Sequence, residues 1–240
     1  MRLNKYIAHS GLCSRRHADE LIKSGAVSVN GDIITNIGHE VTDEDYVKVN
    51  GKNIKLVEGN VYFVLNKPVN YLSSNKDPHH ELLARDLINY NGKLNSIGRL
   101  DMDSEGLMIY TNDGIFTNIM THPSFEITKK YLVSFNEYIP DEKLKEVENG
   151  VVIDGVMTNR CKIKLKRRES KNTKIEIIIS EGRNRQIRKM FEAVGYNVTG
   201  LKRLCHGEIE LGELPIGKSR QFTKNELDYV RRVKAQFDGE

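Results

Sequence analysis

The chain is poor in the residues that staple or metallate small proteins. Its three cysteines, Cys13, Cys161 and Cys205, lie far apart in 240 residues, and none forms a Cys-x-x-Cys pair. That spacing argues against a zinc site and a disulfide framework, and it fits three reduced thiols in a cytosolic protein. No apolar run approaches the ~18 residues of a membrane helix. The start, Met-Arg-Leu-Asn-Lys-Tyr-Ile, has neither the apolar stretch nor the cleavage site of a signal peptide. The sequence also lacks a glycine-rich dinucleotide loop, a P-loop and a His-x-x-x-His pair. His79 and His80 are tandem, a poor geometry for sharing a metal, and read as surface residues. No long repeat or low-complexity segment appears.

What remains is an ordinary soluble composition, 38% hydrophobic and 29% charged, with enough apolar residues for a core. The net charge of +4 is a weak signal, but its distribution is uneven. Twelve Lys or Arg fall between Arg160 and Lys189, opposed only by Glu169, Glu176 and Glu181. Such an excess repels itself unless a polyanion neutralises it. A solvated basic face is the plainer explanation, so charge alone only leans toward nucleic acid.

Residues 1–55 read as a helix-helix-hairpin unit. Leu3, Tyr6 and Ile7 mark a short helix ended by Gly11. Ser14 can cap a second helix whose Ala18, Leu21 and Ile22 recur at helical spacing, with Gly25 as its stop. Val27-Ser28-Val29-Asn30-Gly31 is an alternating strand entering an Asn-Gly turn, and Val47 to Gly51 repeats it. Leu56 to Asn60 reads as a linker. A strand follows over Val61 to Leu65, ended by Pro68, which has no ladder donor. Further strands are expected at Gly106–Thr111, closed by a turn at Asn112-Asp113-Gly114, at Tyr131–Phe135 and at Ile175–Ile179. Leu144 and Val147 suggest a short helix. Ile187, Met190, Phe191 and Val194 make a helical stripe ending at Gly195. The elements do not alternate regularly, so the reading is α+β with a mainly antiparallel mixed sheet flanked by helices.

The segment Gly98-Arg99-Leu100-Asp101-Met102-Asp103-Ser104-Glu105-Gly106 sets a charged pair before a buried strand. An arginine keeps a nearby carboxylate ionised, and such a carboxylate can act as base or nucleophile. In isolation a structural ion pair is the commoner explanation. Tyr131 alone would be a core strand residue.

Larger patterns shift these weights. Arg-Leu-Asn-Lys-Tyr-Ile-Ala, then Ser-Arg-Arg-His-Ala-Asp-Glu-Leu-Ile-Lys-Ser-Gly, then Val-Asn-Gly, resembles the S4 RNA-binding domain over roughly the first 50 residues. That resemblance places Arg2, Lys5, Arg15, Arg16 and Lys23 against phosphates, contacts that position a protein without reading sequence. Gly98 to Asp101 through Thr111-Asn112-Asp113-Gly114 is similar to the signature of pseudouridine synthases of the RsuA/RluB type. Ser104 stands where threonine is common. Lys129-Lys130-Tyr131 and Gly182 to Met190 resemble two further family segments. Asn66-Lys67-Pro68, with Ser73 and Ser74, resembles the opening strand, with Asn70 where glycine is frequent.

The resemblance implies an S4 domain at 1–58 and a synthase domain at 61–235. It makes Asp101 the catalytic carboxylate, Tyr131 the platform for the flipped base and Arg188 the partner of Asp101. It leaves Arg99, Lys129, Arg183, Arg185 and Lys189 for RNA. The implied reaction is isomerisation of uridine to pseudouridine, with no metal and no cofactor. Ribosomal RNA is the implied substrate, as a structured stem-loop or assembling large subunit. His122-Pro123 and the Ile187–Phe191 helix look closer to the branch acting on 23S than on 16S rRNA. A cytoplasmic monomer free of membranes is expected. A non-catalytic S4-type ribosome-assembly factor is the alternative, favoured by loss of Asp101, Tyr131 or Arg188, and none is lost. A DNA-binding regulator has no helix-turn-helix dimer pattern behind it.

Overall fold

The computed structural model describes residues 1–56, 59–74 and 82–237. His79, His80 and two residues of the expected linker, 57 and 58, lie outside these. The chain divides into two compact units, Met1–Asn60 with Asn91–Lys93, and Val61–Tyr90 with Leu94–Glu240.

The first unit holds α1 (Leu3–His9), α2 (Arg15–Lys23), β1 (Val27–Val29), β2 (Asp32–Ile33), β3 (Val47–Val49) and β4 (Lys52–Asn53). Ser14 caps α2, its hydroxyl accepting the His17 N–H at 3.2 Å, which satisfies one orphan donor of the first turn. Both Asn-Gly pairs take left-handed backbone, with φ of 53° and 99° at Asn30 and Gly31 and 48° and 75° at Asn50 and Gly51. Two such residues in succession give a turn whose twist matches the flanking strands. The strands order β2-β1-β3-β4, all antiparallel. Val27 faces Val49 and Val29 faces Val47. Alternation therefore buries four valines against Leu3, Tyr6, Ile7, Ala18 and Ile22. The polar faces leave Arg2, Arg15, Arg16 and Lys23 exposed and Lys5 half-buried.

The second unit is built on β5 (Tyr62–Lys67), β6 (Asn95–Ile97), β7 (Glu105–Thr111), β8 (Lys129–Phe135), β9 (Val152–Ile153), β10 (Val156–Met157), β11 (Lys162–Glu169), β12 (Asn172–Ile179), β13 (Gly200–His206), β14 (Ile209–Glu210) and β15 (Ser219–Gln221). Its helices are α3 (Gly114–Thr121), α4 (Asp141–Asn149), α5 (Gln186–Ala193) and α6 (Lys224–Phe237). The main sheet runs β11-β12-β8-β13-β7-β5-β15, with β14 on β13 and β6 on β7. Among the described strands only the β13–β7 pair is parallel. Met108 and Tyr110 of β7 face a core shared with Phe135, Ile177 and the α5 residues Ile187, Met190 and Phe191. Leu107 and Ile109 face a second core with Phe116 and Met120 of α3 and Tyr229 and Val230 of α6. Burial on both faces explains why β7 reads as an unbroken apolar run.

Three elements depart from the sequence reading. Asn112-Asp113-Gly114 is no simple turn. Asp113 caps α3, its carboxylate accepting the N–H groups of Ile115 (2.9 Å) and Phe116 (3.0 Å). The basic stretch after Arg160 forms β11, whose lysines and arginines mark it as an edge strand guarded by charge. Helix α6 covers the second core where no helix was expected. The left-handed Asn70 (φ 67°) takes the conformation its glycine-like position requires.

Gly106 lets β7 and β13 approach. It pairs with Arg203 and has φ of 104°. A Cβ there would collide with the Arg203 carbonyl oxygen and come within 2.7 Å of its nitrogen.

Candidate active site

The Asp101 loop leads into β7 and is clamped from the β5 side. The buried Ser73 hydroxyl donates to the Leu100 carbonyl at 2.6 Å and accepts the Leu100 N–H at 3.0 Å. The Asn70 N–H donates to the Met102 carbonyl at 2.7 Å. Lys67 is fully buried, and its ammonium donates to the carbonyls of Pro68 and Ser104, each at 2.8 Å. Burial pulls the Lys67 pKa down to about 8, against the opposing pull of Asp101 and Asp103. The Asn-Lys-Pro segment thus works as a brace for the loop, a role its sequence did not show.

Asp101 is half-buried on the wall of a cavity of about 590 Å³, a size typical of small-ligand sites. Arg99, Lys129, Tyr131, Arg183 and Arg185 share that wall. The expected Arg99–Asp101 pair does not form. Arg99 is exposed and has no carboxylate partner among the described residues. Nor does Arg188 reach Asp101. Among the described residues the cation nearest that carboxylate is Arg185, with Nη1 at 3.7 Å from Oδ2. Arg188 instead donates through Nη2 to the Asp103 carbonyl (3.0 Å) and through Nη1 to the Val198 carbonyl (2.8 Å). Its Nη2 also lies 3.3 Å from Asp103 Oδ2.

The cause is the start of α5. Arg185 precedes the helix in left-handed backbone (φ 51°), which turns its side chain back over the loop. Arg188 lies in the first turn and is spent on backbone carbonyls. A bulky residue held left-handed is strained, and such strain gathers at functional sites.

Asp103 is therefore the hub of the ion-pair cluster. Arg185 Nη2 donates to it at 3.0 Å. Burial works to raise the Asp103 pKa, but the Arg185 hydrogen bond and the charges of Arg188 and Arg185 outweigh it and hold it below the ordinary range. Two further lining residues had escaped the sequence reading. Arg203 is buried at 2% exposure and His206 at 0%. Burial, reinforced by the charges of Arg203 and Lys129, holds His206 well below its usual pKa, so its ring is neutral. Its Nε2 faces the Met120 carbonyl at 3.0 Å, which makes that nitrogen the protonated one.

Of the other expected RNA contacts, Lys189 pairs with Asp154 at 2.6 Å and is not on the wall. Arg183 donates to the carbonyls of Val156 and Met157, tying the loop before α5 to β10. Arg2, Lys5, Arg15, Arg16 and Lys23 all belong to the first unit. Among the described residues no group of three His, Cys, Asp or Glu is placed to hold a metal ion.

A carboxylate braced beside a roomy cavity, with an aromatic ring and several cations on the same wall, defines a site for acid-base or nucleophilic work on an anionic substrate. Comparison with known proteins narrows the class. The model of the RNA pseudouridylate synthase family matches residues 61–193, and that of the S4 domain matches residues 1–47. The ribosomal large subunit pseudouridine synthase B of Bacillus subtilis (strain 168) is 40% identical over 240 residues, covering 99% of this chain and 97% of that protein. The dual-specificity RNA pseudouridine synthase RluF of Salmonella typhi is 40% identical over 228 residues, covering 94% of this chain and 77% of that protein. A crystal structure of a pseudouridylate synthase superposes with a TM-score of 0.68 at 31% identity, covering 96% of this chain and 99% of that one. The chain belongs to the RNA pseudouridylate synthase family and is an isomerase of uridine in RNA.

Proposed function

We propose that the protein converts a uridine of ribosomal RNA, in the 23S rather than the 16S molecule, to pseudouridine, with Asp101 as the acting carboxylate. The observation that carries this reading is the meeting of Asp101, Tyr131 and Arg185 on one cavity wall. The similarity to a relative named for the large subunit supports the choice of rRNA.

The reaction breaks the N1–C1′ bond, turns the base and joins C5 to C1′. The reacting atoms are hidden in a stacked helix, so the nucleotide must be extruded into a pocket. Tyr131 offers the face on which the uracil rests. Asp101 either attacks the nucleotide or removes a ribose proton, and both roles need it ionised. Arg185 lies beside that carboxylate, and Arg188 fixes the loop through Asp103. Exposed Arg2, Arg15, Arg16 and Lys23, with Lys5, bind phosphates and fix register. Arg99, Lys129 and Arg183 guide the strand near the cavity, and Lys189 takes a phosphate outside it. The protein acts as a monomer in the cytoplasm, where ribosomes assemble.

Mapping pseudouridines in the ribosomal RNAs of cells with and without the gene tests the reading. One site lost from 23S rRNA supports it. An unchanged pattern in both rRNAs overturns it.

A further inference from the structure

Arg203 is among the largest fully buried side chains, yet it lies in the centre of the sheet without an anion. Its Nε donates to the Leu107 carbonyl at 2.7 Å and its Nη2 to the Met108 sulfur at 3.2 Å, a weak acceptor. The other guanidinium N–H groups have no protein acceptor among the described residues, and no carboxylate pairs with it there. Burying a charge on such terms is costly unless something else neutralises it.

Register shows where that charge is offered. Lys67 pairs with Gly106, Gly106 with Arg203, and Arg203 with Tyr131. Paired residues on neighbouring strands put their side chains on the same face. One row across β5, β7, β13 and β8 therefore reads cation, glycine, cation, aromatic ring. Gly106 adds no side chain to the row, because the Arg203 backbone fills the place its Cβ would take. Arg203 and Tyr131 both line the cavity that holds Asp101. Lys67 has two carbonyls to itself, so Arg203 is the cation of the row with donors to spare.

Resting on the reading that uridine is isomerised here, we propose that Arg203 is a catalytic residue whose guanidinium donates to a carbonyl oxygen of the uracil and stabilises the negative charge of the detached base. When N1–C1′ breaks, its electron pair goes to N1, and the base becomes a uracil anion with charge spread over N1, O2 and O4. C5 then supplies the pair for the new C5–C1′ bond and loses its proton, while N1 gains one. The sum is an isomerisation in which Arg203 gives and takes no atoms. A fixed cation aimed at developing charge in a closed site needs no reorganisation during the reaction.

The test uses the full-length protein and 23S rRNA transcribed with uridine or with 5-fluorouridine, followed as loss of the parent nucleoside in single turnover. Fluorine withdraws electrons, so the fluorinated base leaves more readily and needs less help. Arg203→Met should slow uridine RNA about 10²–10³-fold, the loss seen when one preorganised oxyanion donor is removed. On fluorouridine RNA its loss should be at least tenfold smaller, with RNA affinity unchanged. A merely structural arginine would impair both RNAs equally, and that result overturns the assignment. If the methionine variant does not fold, Arg203→Lys keeps the charge, loses the fork and carries the same comparison. A wild-type protein inactive on rRNA would overturn the underlying reading. An active wild type with equal variant losses overturns the role of Arg203 alone.

Discussion

Replacing Gly106 with alanine should damage the second unit far more than replacing Gly155. The two glycines separate two costs. Both have positive φ, 104° and 78°, so an alanine at either is strained by about 1–3 kcal/mol. At Gly155 the added Cβ meets nothing within 4 Å. At Gly106 it strikes the backbone of Arg203, which cannot swing aside because β13 is paired on both flanks. Overpacking of this kind adds about 1–3 kcal/mol. The Gly106→Ala loss is then about 2–6 kcal/mol, or roughly 4–24 °C in Tm at 2–4 °C per kcal/mol for a unit of this size. Calorimetry of both variants beside the wild type measures it, reading the transition of the second unit. Equal drops for Gly106→Ala and Gly155→Ala would refute the argument that β7 and β13 meet too closely for a side chain.

Further outcomes follow from the ion pairs and the first unit. Asp113 is buried, bonded to Lys234 at 2.7 Å and Tyr62 at 2.7 Å, and caps α3. Burial pushes its pKa up, but Lys234, the Phe116 N–H and Tyr62 pull harder and leave it below the ordinary value. Its stabilisation is therefore present above about pH 3.9, the unfolded value, and fades as pH falls through the folded one. Asp113→Asn should lower Tm at pH 7 by an amount that shrinks below about pH 4, and a gap constant with pH would contradict this. Arg185→Ala and Arg188→Ala should both lower kcat, but only Arg188→Ala should also lower Tm. Arg188 is largely buried on two carbonyls, whereas Arg185 is exposed. Matching melting curves for the two variants would contradict that division. Arg15→Gln with Arg16→Gln should flatten the plot of log affinity against log salt by about 1.4–1.8, near 0.7–0.9 per phosphate contact. An unchanged slope would remove these arginines from the RNA interface.

The elements the sequence revealed are those in which one physical rule dominates. The two Val-Asn-Gly hairpins were legible because an Asn-Gly pair at positive φ has few alternatives. Strand β7 was legible as an unbroken apolar run, and helix α5 because its apolar residues recur with a helical period. Strand β11 was not, because its residues are chosen for an exposed edge and carry charge instead of pattern. The cap at Asp113 was hidden because Asn-Asp-Gly serves a turn and a helix start equally well.

At the site, resemblance brought forward Asp101 and Tyr131, which the structure sets on one wall. The pairing of the cations was not legible. Whether Arg185 or Arg188 faces Asp101 depends on one left-handed residue ahead of α5, and no local signal marks arginine for that conformation. Arg203 was invisible for a similar reason. A lone arginine in a strand reads as surface, and only the register against Gly106 and Tyr131 shows it buried beside the cavity.

The central claim concerns the carboxylate of Asp101. Asp101→Asn keeps the shape of the side chain and removes its charge. Single-turnover conversion of uridine in 23S rRNA by this variant, measured beside its RNA affinity, is the most direct test. The account predicts no detectable pseudouridine with affinity close to wild type. Retained conversion would contradict it.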